Sequence, residues 1–140
     1  KLSLIASEKI LDILDNIYDG NIEFKDQDHS KATYAKKIQK IEGKIDWNEN
    51  AEKIIGKING LYPYPGAFFS FNGERYKILK AEKSFAKENP GKVLTNDLEI
   101  SCGTNSIKIL EIQREGKKPQ KINEFLPGSQ IKKGTNLLDV

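Results

Sequence analysis
The chain has 140 residues, with 23 Lys+Arg against 20 Asp+Glu and one His, a formal charge of +3. That length suits one domain of ordinary size with an appendage, and is too short for a nucleotide-binding α/β domain plus a separate substrate domain. No apolar run approaches the roughly 18 residues of a membrane span, no apolar leader follows Lys1, and the lone Cys102 cannot form an intramolecular disulfide and fits a reducing compartment.

Methionine is absent, and Lys1 is not the kind of residue behind which an initiator Met is normally removed, so the chain is expected to be a piece of a longer protein. Its charge is uneven. Residues 1–30 hold three Lys against seven acids, −4, and residues 31–140 hold 20 Lys+Arg against 13 acids, +7. Only Arg75 and Arg114 among the basic residues are Arg. Lysine attracts phosphate as a diffuse point charge rather than reading base edges bidentately. The body of the chain therefore suits a polyanion by charge, and a solvated lysine-rich surface would look the same.

Leu2–Tyr18 predicts a helix, because Leu2, Ile5, Ile10, Ile13, Leu14 and Ile17 recur at helical spacing, with Leu4, Leu11 and Tyr18 widening the stripe. Asp19-Gly20 ends it. One helix cannot bury that stripe alone. Residues 21–47 have no clean period and read as an ordered linker, too aromatic for a flexible tether. Residues 46–61 predict a second helix, with Asp46-Trp47-Asn48-Glu49 as a capping box, Ala51, Ile54, Ile55, Ile58 and Leu61 on one face, and Pro63 as the stop.

After Pro65 the period becomes two. Asn72-Gly73 between Phe69-Ser70-Phe71 and residues 74–81 predicts a type I′ hairpin, whose turn needs positive φ at both central residues. Further strands are expected at 91–95, 98–102, 106–113 and 137–140, with Gly103-Thr104-Asn105 as a turn, a basic loop at 117–121 and one helical turn at 122–126. Asp97 and Glu99, two apart on a strand, would share a face. Short strands with one small helix suggest a compact barrel.

Catalytic chemistry is hard to find. His29 sits among Asp26, Asp28 and Ser30 in a polar stretch without the rigid support a triad requires. Neither GxGxxG nor GxxxxGKS occurs, and neither HExxH nor a Cys pair offers metal ligands. On its own residues the chain reads as a binding module. Tyr62 and Tyr64 are stiffened by the prolines that follow them. They are expected in the core, with base stacking as the alternative. Trp47 is expected to be an anchor where the linker meets the domain, and Cys102 a core residue.

An ordered series of segments carries a resemblance: 32–38, Ile45-Asp46-Trp47, Tyr62-Pro63-Tyr64-Pro65-Gly66-Ala67, Pro90-Gly91-Lys92-Val93-Leu94, Cys102-Gly103, Gly116-Lys117-Lys118-Pro119, Glu124-Phe125-Leu126-Pro127-Gly128 and Gly134. Over nearly the whole chain it resembles the C-terminal part of the methionyl-tRNA formyltransferases, with Tyr64 where that family usually has Trp. Relatives that formylate amino sugars or oxidise formyl-folate carry a related domain and remain alternatives, as does a non-enzymatic RNA-binding module.

The resemblance implies a mainly β fold with α, an open OB-like Greek-key barrel preceded by a linker and an N-terminal helix. Residues 1–20 would be the terminal helix of an absent formyltransferase domain, 21–46 the interdomain linker, and 47–140 the tRNA-binding domain. The absent domain would use an Asn, a His and an Asp to pass formyl from 10-formyltetrahydrofolate to methionine on initiator tRNA, in the cytoplasm. None of those positions lies here, and His29 does not match the catalytic His. No catalytic, cofactor-binding or metal residue is expected in the chain, which alone should be inactive. Initiator methionyl-tRNA and the N-terminal domain in cis are the expected partners.

The candidate tRNA-binding residues follow from where basic side chains cluster. They are Lys36, Lys37, Lys40 and Lys44 in the linker, Arg75 and Lys77 on one face of the hairpin, Arg114, Lys117, Lys118 and Lys121 in and before the basic loop, and Lys132 and Lys133 near the end. Point charges suit the exposed backbone of an A-form stem.

Overall fold
The computed structural model describes residues 1–138. These divide into two compact units, residues 1–36 and residues 37 onward.

The first unit is a helix followed by extended chain. Helix α1 spans Leu2–Tyr18, and its end is closed by the amides of Asp19 and Gly20 bonding back to Asp15 and Ile17. Gly20 takes φ 72°, the left-handed conformation expected of it. None of the helix is buried, so its apolar stripe stands open within this unit. A short 3₁₀ turn at His29–Lys31 is capped by Asp28, whose carboxylate accepts from the Ser30 amide and hydroxyl and pairs with Lys31. Those bonds, the Ser30 hydroxyl first, hold the Asp28 carboxyl below its ordinary range. They turn it toward Ser30 and Lys31 rather than His29.

The second unit packs helix α2 (Ala51–Leu61) on an open, five-stranded antiparallel sheet, so the fold is mainly β with helix, as the resemblance implied. The strands are β1 (Ala67–Phe71), β2 (Glu74–Ser84), β3 (Glu99–Ser101), β4 (Ser106–Arg114) and β5 (Gln120–Lys121). Strand β4 is the spine. It pairs with β2 along one edge, and with β3 and then β5 along the other. Helix α3 (Ile122–Phe125) follows β5 directly.

The hairpin forms as expected. Phe71 faces Glu74 across Asn72 and Gly73, both at positive φ. Its inner side chains continue a line of aromatic contacts from Trp47 to Phe69, Phe69 to Tyr76 and Tyr76 to Phe125, with centroids 5.8, 5.5 and 5.9 Å apart. Ile54 and Ile58 of α2 and Ile78, Ile107, Ile109 and Ile112 of the sheet are fully buried around that line. Trp47 is buried, as an anchor would be, and Cys102 is buried as expected, its thiol pushed up by burial to about 12.

Several local expectations need correction. Helix α2 starts at Ala51, not Asp46, and its cap is Asn50, whose side chain accepts from the Lys53 amide at 2.8 Å. Asp46 instead closes a local turn by accepting from the Asn48 amide, and Glu49 pairs with Lys53 and Lys57. An Asx turn competes with capping for the same carboxylate, and here it wins. Residues 91–95 make isolated bridges at Lys92 and Val93 rather than a strand. Of the final strand expected at 137–140, Leu137 and Leu138 form a bend, and the last two residues lie outside the described chain. The basic loop gives up Gln120 and Lys121 to β5, because the open edge of β4 offers them hydrogen bonds. Asp97 lies in a turn before a left-handed Leu98, φ 59°, so it does not alternate with Glu99. Glu99 accepts from the Ser106 hydroxyl.

Candidate nucleic-acid interface
The pleat sets the surface first. Opposed residues share a face. Phe68, Lys77 and Gln113 are in register across β1, β2 and β4, as are Ser70 and Arg75, with the Glu115 amide bonding the Arg75 carbonyl beyond them. Arg75 and Lys77 therefore do lie on one outer face. Alternate residues Glu74, Tyr76 and Arg114 lie on the other.

The two arginines are neutralised. Arg75 donates to Glu115 at 2.9 Å and sits over the Phe68 ring, 5.0 Å from its centroid. Arg114 donates to Glu74 at 2.5 Å, and the Tyr76 hydroxyl donates to the same carboxylate. The Arg114 hydrogen bond, then the Tyr76 one, keeps the Glu74 carboxyl below its ordinary value, and in return raises Arg114. Tyr76 is pushed up to about 12, first by burial and then by that acceptor.

Acids share the clefts with the lysines, Glu115 beside Lys77 and Glu124 beside Lys117 and Lys118, and the charge of Lys117 helps to keep the Glu74 carboxyl low. Among the described residues, Lys77, Lys117, Lys118, Lys121, Lys132 and Lys133 form no ion pair, nor do Lys36, Lys37, Lys40 and Lys44. Lys77 lines a cleft with Arg75, Gln113, Arg114 and Glu115, and Lys117 and Lys118 line a second with Arg114, Gln120 and Glu124. The two clefts share Arg114, so this cationic surface is continuous around the end of β4. A hydrogen-bonded turn positions it: the Lys117 amide bonds the Arg114 carbonyl, Gln113 Nε2 donates to the Lys117 carbonyl at 2.8 Å, and Gly116 supplies φ 71°.

The other candidates are not gathered there. Lys121 lies opposite Glu111 on β5. Lys132 lines a cleft with Asn123 and Pro127, and Lys133 one with Lys87 and Lys92. Lys40 opens a 3₁₀ turn at Lys40–Gly43, and Lys44 bridges Phe68 and accepts Lys57 Nζ on its carbonyl. Lys36 belongs to the first unit.

Tyr62 and Tyr64 overturn the expectation of core packing. They are 59% and 69% exposed, while Pro65 and Gly66 behind them are buried. Sequence reasoning also missed Glu74 and Glu115 as neutralising partners, since their pairing depends on strand register. Among the described residues no three His, Cys, Asp or Glu side chains group as a metal site would, and no helix is long and apolar enough to cross a membrane.

With this geometry established, comparison with known proteins places the chain. Residues 37–130 match the family described as "Formyl transferase, C-terminal domain". The chain belongs to that family. It is 62% identical over 141 residues to the methionyl-tRNA formyltransferase of Pelagibacter ubique (strain HTCC1062), a match covering 100% of this chain and 46% of that protein. It is 42% identical over 139 residues to the methionyl-tRNA formyltransferase of Rickettsia massiliae (strain Mtu5), covering 98% and 45%. The resemblance read from the ordered segments therefore stands, and the chain spans about half the length of the curated relatives it matches. Its fold is like that of HypX from Aquifex aeolicus, with TM-score 0.62 at 18% identity, covering 91% of this chain and 24% of that one. A HypX structure in complex with tetrahydrofolic acid is similar at TM-score 0.59 and 19% identity, covering 84% and 22%.

Proposed function
We propose that this chain is the portion of a methionyl-tRNA formyltransferase that holds initiator methionyl-tRNA. A catalytic domain preceding it in the same polypeptide would transfer formyl from 10-formyltetrahydrofolate to the methionyl α-amino group, in the cytoplasm. Residues 1–20 would close that catalytic domain, which gives the open stripe of α1 a partner. Residues 21–46 would link the two, and residues 47–140 would form the OB-like tRNA-holding domain. The reacting groups and the folate would belong to the preceding domain, so the chain alone would bind and not catalyse.

The carrying observation is the cluster of Lys77, Lys117 and Lys118, which form no ion pair among the described residues, around two adjoining clefts whose arginines are already paired. Ammonium groups not held in ion pairs can exchange their ions for phosphates, which drives association by counterion release. Each phosphate neutralised on a duplex steepens the fall of log affinity with log salt by about 0.9. Retention of initiator tRNA by this chain should therefore weaken by orders of magnitude from low to moderate salt. Replacing Lys77, Lys117 and Lys118 together by Gln should weaken it for every tRNA alike and flatten the slope by about 2 to 3. A salt-independent retention, or full affinity in the triple variant, would refute the assignment.

A further inference from the structure
Two exposed tyrosines are left unexplained by a surface that grips phosphate. Among the described residues neither Tyr62 nor Tyr64 packs its ring on another aromatic ring. Their loop is nonetheless fixed. The Gly66 amide bonds the Leu61 carbonyl at 2.9 Å, closing the segment between α2 and β1. Gly43 is pressed so closely against it that a Cβ there would lie 2.3 Å from the Gly66 carbonyl oxygen.

The loop also touches the cationic cleft. A Cβ on Gly66 would lie 3.1 Å from Lys77 Cδ and 3.7 Å from its Nζ. Two residues of chain span at most about 7 Å, so the Tyr64 backbone lies in the same neighbourhood as the Lys77 ammonium, which forms no ion pair among the described residues. The cleft beside it is lined by Arg75, Lys77, Gln113 and Glu115. An apolar protein surface would leave those polar groups without water or partners. A nucleotide suits both halves, since its phosphate meets the ammonium while its base meets the ring.

We propose that Tyr64, with Tyr62 beside it, is a stacking platform for an unpaired nucleotide of the bound RNA, whose phosphate Lys77 holds. This rests on the RNA-holding reading above and extends it from the stem to a single-stranded end.

The test uses this chain and two RNA hairpins of identical stem, one blunt and one with four unpaired 3′ nucleotides. The tailed hairpin should bind about tenfold more tightly, the scale of one base stacked on an aromatic side chain. Tyr64→Ala should abolish that preference while leaving the blunt hairpin's affinity alone, Tyr64→Trp should retain it, and unchanged circular dichroism would show that both variants fold. Equal binding of the two hairpins with a steep salt slope would sink the platform and leave the phosphate grip standing. Failure to bind either RNA would remove both readings. A change in sedimentation of Tyr64→Ala without RNA would mark the loop as a protein contact and overturn the proposal.

Discussion
Glu74 decides how much charge the end of β4 can offer. Its carboxylate occupies Arg114 and takes the Tyr76 hydroxyl, so one of the two arginines is withheld from any anionic partner. Glu74→Gln keeps a hydrogen-bond acceptor but removes the charge. It should raise RNA affinity and steepen the log–log salt slope by about 1 as Arg114 is released. The same bond has a pH signature. A carboxyl whose folded value is depressed stabilises the fold above its unfolded value and loses that contribution as pH falls through the folded one. The urea midpoint of the parent should therefore exceed that of Glu74→Gln near neutrality, and the gap should close as pH drops below the ordinary 4.5. The pair is solvent-accessible, so the gap is small. A gap that widened in acid would mean that another carboxylate carries it.

At the scale of elements, backbone apposition organises the second unit. The segment entering α2 lies against the β3–β4 turn: the Gly103 amide bonds the Glu49 carbonyl at 2.8 Å, and the Ala51 amide bonds the Thr104 carbonyl at 3.0 Å. A Cβ on Gly103 would sit 1.9 Å from the Asn48 carbonyl oxygen, and backbone cannot swing aside as a side chain can. Gly103→Ala should cost about 3 kcal/mol, the scale of a forced backbone shift, read as a lower urea midpoint from the fluorescence of buried Trp47. Gly56 is the internal control. It lies in α2 with nothing within 4 Å of its missing Cβ. Gly56→Ala should stabilise by about 0.5–1 kcal/mol through helix propensity alone. The same sign for both variants would discredit the apposition.

For the whole molecule, the two units carry unequal shares of the fold. No residue from 1 to 36 is buried, whereas the aromatic and aliphatic core lies entirely within the second unit. A chain beginning at Lys37 should therefore melt within about 2 °C of the parent, since no buried residue is removed. A large fall in the Trp47 melting midpoint would show that the first unit supports the core. The division also frames the charge asymmetry. Residues 1–36 hold five Lys against seven acids, −2, and residues 37–140 hold 18 Lys+Arg against 13 acids, +5, so the basic excess belongs to the unit that bears the clefts.

Patterns that depend on neighbours along the chain were legible in the amino acids themselves. Helical spacing announced α1 and α2, alternation around Asn72-Gly73 announced the hairpin, and the ordered segments from residue 32 to Gly134 announced the family, because local periodicity and turn chemistry act over a few residues. Other features waited for tertiary structure. Asp46 and Asn50 both offered a cap, and only their surroundings chose between them. Gln120 and Lys121 became a strand because β4 had a free edge. Arg75 and Arg114 lost their free charge to Glu115 and Glu74, one contact set by strand register and the other by the pleat. Tyr62 and Tyr64 stayed in solvent because the loop closed behind them, through Gly66 and Gly43, on residues far away in sequence.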